Sequence, residues 1–124
     1  MPVVTPVAAV RFDDHPGTNV IGLASPSRGS AELSAWRLRL EPGTASPAHS
    51  LDREEVFVIL DGRLRLTCDG VVEEAQAGGA LIAPVGAEFT ISNPGPGPVD
   101  AVACAPSAIR ATVGDQSFAP PWAV

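Results

Sequence analysis

The chain has 124 residues, 45% of them hydrophobic, with eight arginines and no lysine set against 14 acids. That length allows one domain with one core, and the net charge of −6 leaves no basic surface for a nucleic-acid backbone. Thirteen prolines and twelve glycines imply frequent turns and argue against long helices. No apolar run approaches the roughly 20 residues needed to span a bilayer, so neither nucleic acid nor membrane is an expected partner.

Met1-Pro2 does not begin a secretory signal, and the expected compartment is the cytoplasm. Residues 1–18 hold several prolines and the turn cluster Asp13-Asp14-His15-Pro16-Gly17, which reads as an N-terminal arm with one short strand. A second strand is expected over 19–24. The first strongly periodic segment is 32–41. Leu33, Leu38 and Leu40 mark its apolar side, Trp36 is in phase with the last two, and Arg37 and Arg39 alternate with them. Pro42-Gly43 ends it.

Strands over 55–60 and 63–68 flank Asp61-Gly62, and the second continues through Asp69-Gly70 into 71–75. Asp-Gly between apolar runs predicts a hairpin, because both turn residues must tolerate positive φ. Two such turns in succession predict a meander. Strands over 80–83, 88–92 and 99–105 follow, separated by Pro84-Val85-Gly86 and by the Pro-Gly run after Asn93. Short strands broken by Gly/Pro turns indicate an all-β, antiparallel sandwich or barrel. The tail 117–124 carries Phe118 and Trp122, apolar groups costly to leave in water, so it is expected to dock on the body or on a partner chain. Cys68 and Cys104 form no Cys-x-x-Cys pattern and read as reduced core thiols, a disulfide or a ligand role for Cys104 being the alternative.

Two segments carry a more specific signal. Residues 43–62 place Gly43, His49, Glu55 and Gly62 in the pattern G-x5-H-x-H-x3/4-E-x6-G. Residues 78–93 place Gly78, Pro84, Gly86 and Asn93 in the pattern G-x5-P-x-G-x2-H-x3-N. The ordered pair resembles the two signature motifs of the cupin superfamily. The resemblance implies a small antiparallel jelly-roll-like cupin barrel (a double-stranded β-helix), with residues 1–124 as one domain and the motifs at 43–93 as its core. It also implies a homodimer, for which Arg37 and Arg39, facing outward, are candidate interface residues.

In metal-bearing cupins four inward positions carry His, His, Glu and His. Here the second is Leu51 and the fourth Phe89, so only His49 and Glu55 of that set can donate. Catalytic zinc sites commonly use three protein ligands. No cofactor is therefore expected; a divalent metal such as Zn, Ni, Fe or Mn would need His49, Glu55 and a further ligand, with His15, Asp52 and Cys104 conceivable. The resemblance instead points to a small-molecule ligand in the barrel, with Trp36, Leu38, Leu51, Phe57, Phe89 and Ile91 lining the pocket and Ile59 nearby. His49 is either a plain hydrogen-bonded residue at the barrel mouth or, paired with Glu55 in an apolar setting, an acid–base couple sharing one proton near neutral pH. Glu54 should face solvent. Three functions follow: a binding cupin with metal-independent acid–base chemistry (isomerase, dehydratase or cyclase type), a metal-dependent oxygenase or isomerase, and a non-catalytic sensor or storage module.

Overall fold

Alternation of inward and outward side chains organises two antiparallel layers, seen in a computed structural model that describes residues 2–5 and 10–124. The strands are β1 (Val10–His15), β2 (Thr18–Ala24), β3 (Leu33–Leu40), β4 (Ser50–Leu51), β5 (Glu55–Asp61) and β6 (Arg63–Cys68). They continue as β7 (Val71–Gln76), β8 (Ala80–Ala83), β9 (Phe89–Ser92), β10 (Val99–Pro106), β11 (Ala111–Val113) and β12 (Gln116–Phe118). One layer is the six-stranded sheet β1-β2-β3-β10-β5-β8. The other consists of β7-β6-β9 and β12-β11-β4, which the bridges Ala45–Ser92 and His49–Phe89 tie together through the segment preceding β4. The all-β cupin-type barrel expected from the motifs is the fold found. Among the described residues, no helix is long and apolar enough to cross a membrane.

The two Asp-Gly pairs behave differently. At Asp69-Gly70 both residues have positive φ (51° and 76°), and Cys68 pairs with Val71, as a two-residue hairpin requires. At Asp61-Gly62 only Gly62 does (φ 81°), and β5 and β6 do not pair. The expected first hairpin is instead a corner at which the chain leaves one sheet for the other. Gly62 lies so close to Pro98 and Val99 that a Cβ there would fall 2.5 Å from the Pro98 carbonyl oxygen. The meander is thus a single hairpin, because β5 takes β10 and β8 as its neighbours.

In β3, Trp36, Leu38 and Leu40 point inward and Arg37 and Arg39 outward. Leu33 departs from the expected apolar side: it is 64% exposed, and Ser34 takes the inward place. Ser34 is tolerated there because its hydroxyl donates to the Ala123 carbonyl (2.7 Å) and lies 2.9 Å from the Ser107 hydroxyl. The Asp13–His15 part of the N-terminal turn cluster belongs to β1; the turn itself is Pro16-Gly17. Residues 6–9, within the arm, lie outside the described residues.

The core between the layers includes Leu40, Phe57, Ile59, Leu64, Phe89 and Val99, and burying each large side chain contributes about 1.5–3 kcal/mol. Neither cysteine belongs to it as a fully buried thiol: both are free and half-buried, and Cys104 faces outward between inward Ala103 and Ala105. Asn93 is buried and closes one end of the barrel. Its amide donates to the Leu40 (3.0 Å) and Gly97 (2.8 Å) carbonyls, and its carbonyl accepts from Gly95 N–H (2.9 Å), holding the Pro-Gly loop against β3. On the outer face of the six-stranded sheet, Arg39 pairs with Glu41 and Asp100, beside exposed Val58, Leu60 and Ile82.

Candidate functional site

A cleft of about 750 Å³, counted out to its open mouth, enters the barrel between the layers. Its floor and walls include Val20 from β2, Trp36 and Leu38 from β3, Leu51 from β4, Phe57 from β5 and Ile91 from β9. The last segment of the chain closes one side. Trp122 packs on Trp36 at 6.3 Å between ring centres and edge-on to Phe12 at 6.2 Å. Phe118 and Pro120 extend this side toward the mouth. A short 3-10 turn (Pro121–Ala123) and the Ser34–Ala123 hydrogen bond hold the segment in place.

Polar groups reach the cleft at Thr18, Ser46, His49 and Glu55. Glu55 opens β5 in phase with Phe57 and Ile59, so the strand's alternation carries its carboxyl to the inward face while Glu54 is exposed. Its carboxyl has no hydrogen-bond or ion-pair partner among the described residues. Burial therefore acts on it unopposed and raises its pKa from 4.5 to about 8. At neutral pH Glu55 is mostly the uncharged acid.

His49 is half-buried, its ring against Phe89 with centres 4.3 Å apart. Reciprocal backbone hydrogen bonds to Phe89 (3.0 and 2.8 Å) fix its position. Nδ1 lies 2.8 Å from the Pro47 carbonyl oxygen, which can only accept, so Nδ1 carries a proton and Nε2 is left for a ligand. His49 and Glu55 thus line one cleft, but no hydrogen bond or ion pair joins imidazole and carboxyl. The expected ion pair is not formed: the His49 ring is held against Phe89 and the Pro47 carbonyl, and Glu55 is left buried without a counter-charge among the described residues.

Phe89 is inward on β9 beside His49, as expected, but is not part of the cleft lining. It is 2% exposed and lies in the core, whereas Trp36, Leu38, Leu51, Phe57 and Ile91 all line the cleft. Sequence reasoning missed the contributions of Thr18, Val20, Ser46, Pro47, Ala111 and Val113. The β11–β12 wall had a signal: Gly114-Asp115 between alternating tripeptides is a two-residue hairpin loop, and Gly114 has φ 60°.

The donor set does not suit a tightly held metal. No three His, Cys, Asp or Glu residues come together among the described residues. Leu51 and Phe89 have no lone pair to give. Asp52 is exposed and its carboxylate accepts the Arg110 backbone N–H (2.7 Å), and Cys104 sits on the outward face of β10. The His15 side chain lies outside the described residues.

The family model described as "Cupin domain" matches residues 36–104. The chain is similar to endoribonuclease YbeY of Myxococcus xanthus (strain DK1622), with 32% identity over 88 residues, or 70% of this chain. The chain spans under a third of that protein's length (29%). Among solved structures, polyketide cyclase RemF of Streptomyces resistomycificus superposes with TM-score 0.72 at 20% identity, covering 86% of this chain and 79% of that one. A cupin-superfamily sugar phosphate isomerase of Silicibacter pomeroyi gives 0.68 at 21% identity, over 81% of this chain and 67% of its own. Salicylate 1,2-dioxygenase of Pseudoaminobacter salicylatoxidans, with gentisate, gives 0.70 at 18% identity over 84% of this chain and 31% of its own.

Proposed function

The chain belongs to the cupin family, and we propose that its barrel binds a small organic molecule on which Glu55 acts as proton donor, without a tightly held metal. One observation carries this reading: a buried, unpartnered carboxyl in the wall of an apolar cleft. An acid with a pKa of about 8 is protonated at neutral pH yet still gives up its proton readily, as general acid catalysis requires. Glu55 gives its proton to a substrate oxygen, and Nε2 of His49 takes one from a neighbouring position of the same substrate. The exchange conserves protons and suits isomerisation, dehydration or cyclisation. No step is routed through a metal, because among the described residues His49 and Glu55 lack the further donor that an oxygenase-type site would need.

The outer face of the six-stranded sheet fits a second copy of the chain in this reading. A two-fold pairing would cover Val58, Leu60 and Ile82 of each copy and leave Arg37 and Arg39 able to meet carboxylates across the interface.

Native mass spectrometry and elemental analysis of the purified protein test the central claim. An organic adduct at sub-stoichiometric metal is expected. The Glu55→Gln variant should retain that adduct, since an amide still donates a hydrogen bond, but should not convert it. Unaltered conversion by a folded Glu55→Gln protein removes Glu55 as the acid. Adduct retained but never converted by wild type makes the protein a passive binder, and one equivalent of metal surviving chelation restores the metal-dependent alternative.

A further inference from the structure

We propose that the occupant of the cleft is an uncharged, flat, mostly apolar molecule bearing a carbonyl or hydroxyl oxygen, and not a phosphorylated or carboxylated compound. This rests on the reading that the cleft holds a small organic ligand, and it follows from the chemistry of the lining. Anionic groups are usually met by Arg, by Lys or by a helix N-terminus. The chain has no lysine, and none of its eight arginines is among the described residues of the lining. Among the described residues the helices are two three-residue 3-10 turns, too short to offer an anion site.

The single acid among the described lining residues, Glu55, works in the same direction. A ligand carboxylate or phosphate beside it would either repel the ionised form or be buried against a neutral group with no compensating charge. The net charge of −6 also disfavours the approach of anions. Among the described lining residues His49 alone is basic, and in the neutral form with its proton on Nδ1, shared with the Pro47 carbonyl, its Nε2 presents a lone pair and not a charge.

The shape of the lining favours a ring system. Trp36 and Trp122, tilted 51° to each other, form one aromatic corner, and Phe57 and Phe118 add two more rings. Such surfaces bury flat apolar area and contact its face and edge. Thr18, Ser46, His49 and Glu55 supply the few polar atoms that would orient one or two oxygens of the ligand.

Three probes of similar or smaller size separate the possibilities: 1-tetralone, a neutral bicyclic ketone; 1-naphthoate, a bicyclic carboxylate; and glucose 6-phosphate. Titration calorimetry at neutral pH, followed in parallel by fluorescence of the two tryptophans, both of which line the cleft, reads the affinities. 1-Tetralone should bind at least about tenfold more tightly than 1-naphthoate, and glucose 6-phosphate should not bind measurably. Val113→Arg, a change at a half-exposed lining position, should raise the affinity for 1-naphthoate by about tenfold or more while the protein keeps its β-sheet spectrum. Naphthoate or the sugar phosphate binding as tightly as tetralone to wild type would overturn the ligand class and leave a binding cupin standing. Binding of none of the three, in protein that also carries no organic adduct, would overturn both.

Discussion

Replacing Glu55 by Gln should flatten a large part of the protein's stability–pH curve. Glu55 is 7% exposed, and its carboxyl has no partner among the described residues and a pKa near 8 in the folded chain, against 4.5 for the exposed group. Between those values the native state holds a proton that the unfolded state has released, so stability falls as pH rises. The contribution is fully present below pH 4.5 and is lost as pH rises through about 8. At about 1.4 kcal/mol for each pH unit, the gap amounts to roughly 5 kcal/mol, a third or more of the 5–15 kcal/mol typical of a domain. The amide of Gln does not titrate. Wild type and Glu55→Gln should therefore be of similar stability near pH 4.5 and diverge with increasing pH, the variant being the more stable by several kcal/mol above pH 8. Urea unfolding at a series of pH values gives both curves, and their difference cancels the titration of groups the two proteins share. A difference curve that stays level across this window would mean that Glu55 is solvated or paired, and the proton-donor reading would lose its basis.

Other expectations follow from the same geometry. Leu51→His with Phe89→His should restore a three-His, one-Glu set; losing the buried Phe89 ring should cost roughly 2–4 kcal/mol without metal, and zinc or nickel should recover part of it by linkage, read as a metal-dependent rise in Tm that wild type does not show. Asn93→Ala removes three hydrogen bonds that hold the Pro-Gly loop to β3 and should cost about 2–4 kcal/mol, measured as a fall in the urea midpoint. If two copies pair through the outer sheet face, sedimentation at micromolar concentration should show a dimer and Val58→Glu should shift it toward monomer; a wild-type monomer would refute that pairing.

The parts of this molecule that were legible in sequence are those whose cause is local. The motif glycines and Pro84 announce turns because backbone geometry at those points admits few residues, and the alternation of Trp36, Leu38 and Leu40 announces a half-buried strand. Asp61-Gly62 shows where local information stops. The pair requires a turn, but whether the chain doubles back or crosses to the opposite sheet depends on Pro98 and Val99, some 36 residues on, against which Gly62 is pressed. Ser34 is the same lesson in burial: a hydroxyl is admitted to the inward face, and Leu33 turned out, because residue 123 brings a carbonyl to it.

The candidate site divides along the same line. Its residues at 36–57 sit on regular strands and were readable, whereas the wall built from β11, β12 and Trp122 depends on how the end of the chain folds back. The charge state of Glu55 is the least local property of all. A histidine six residues away suggested an ion pair, yet the imidazole is engaged by Pro47 and Phe89 and makes no ion pair with the carboxyl. With no counter-charge at hand, burial alone decides the matter, and a residue that sequence would make half of an ionic couple becomes a neutral acid facing an apolar cleft. The same absence of fixed positive charge in the described lining that leaves Glu55 protonated also makes the cleft unfavourable to anions, so the protonation state and the ligand preference have one physical origin.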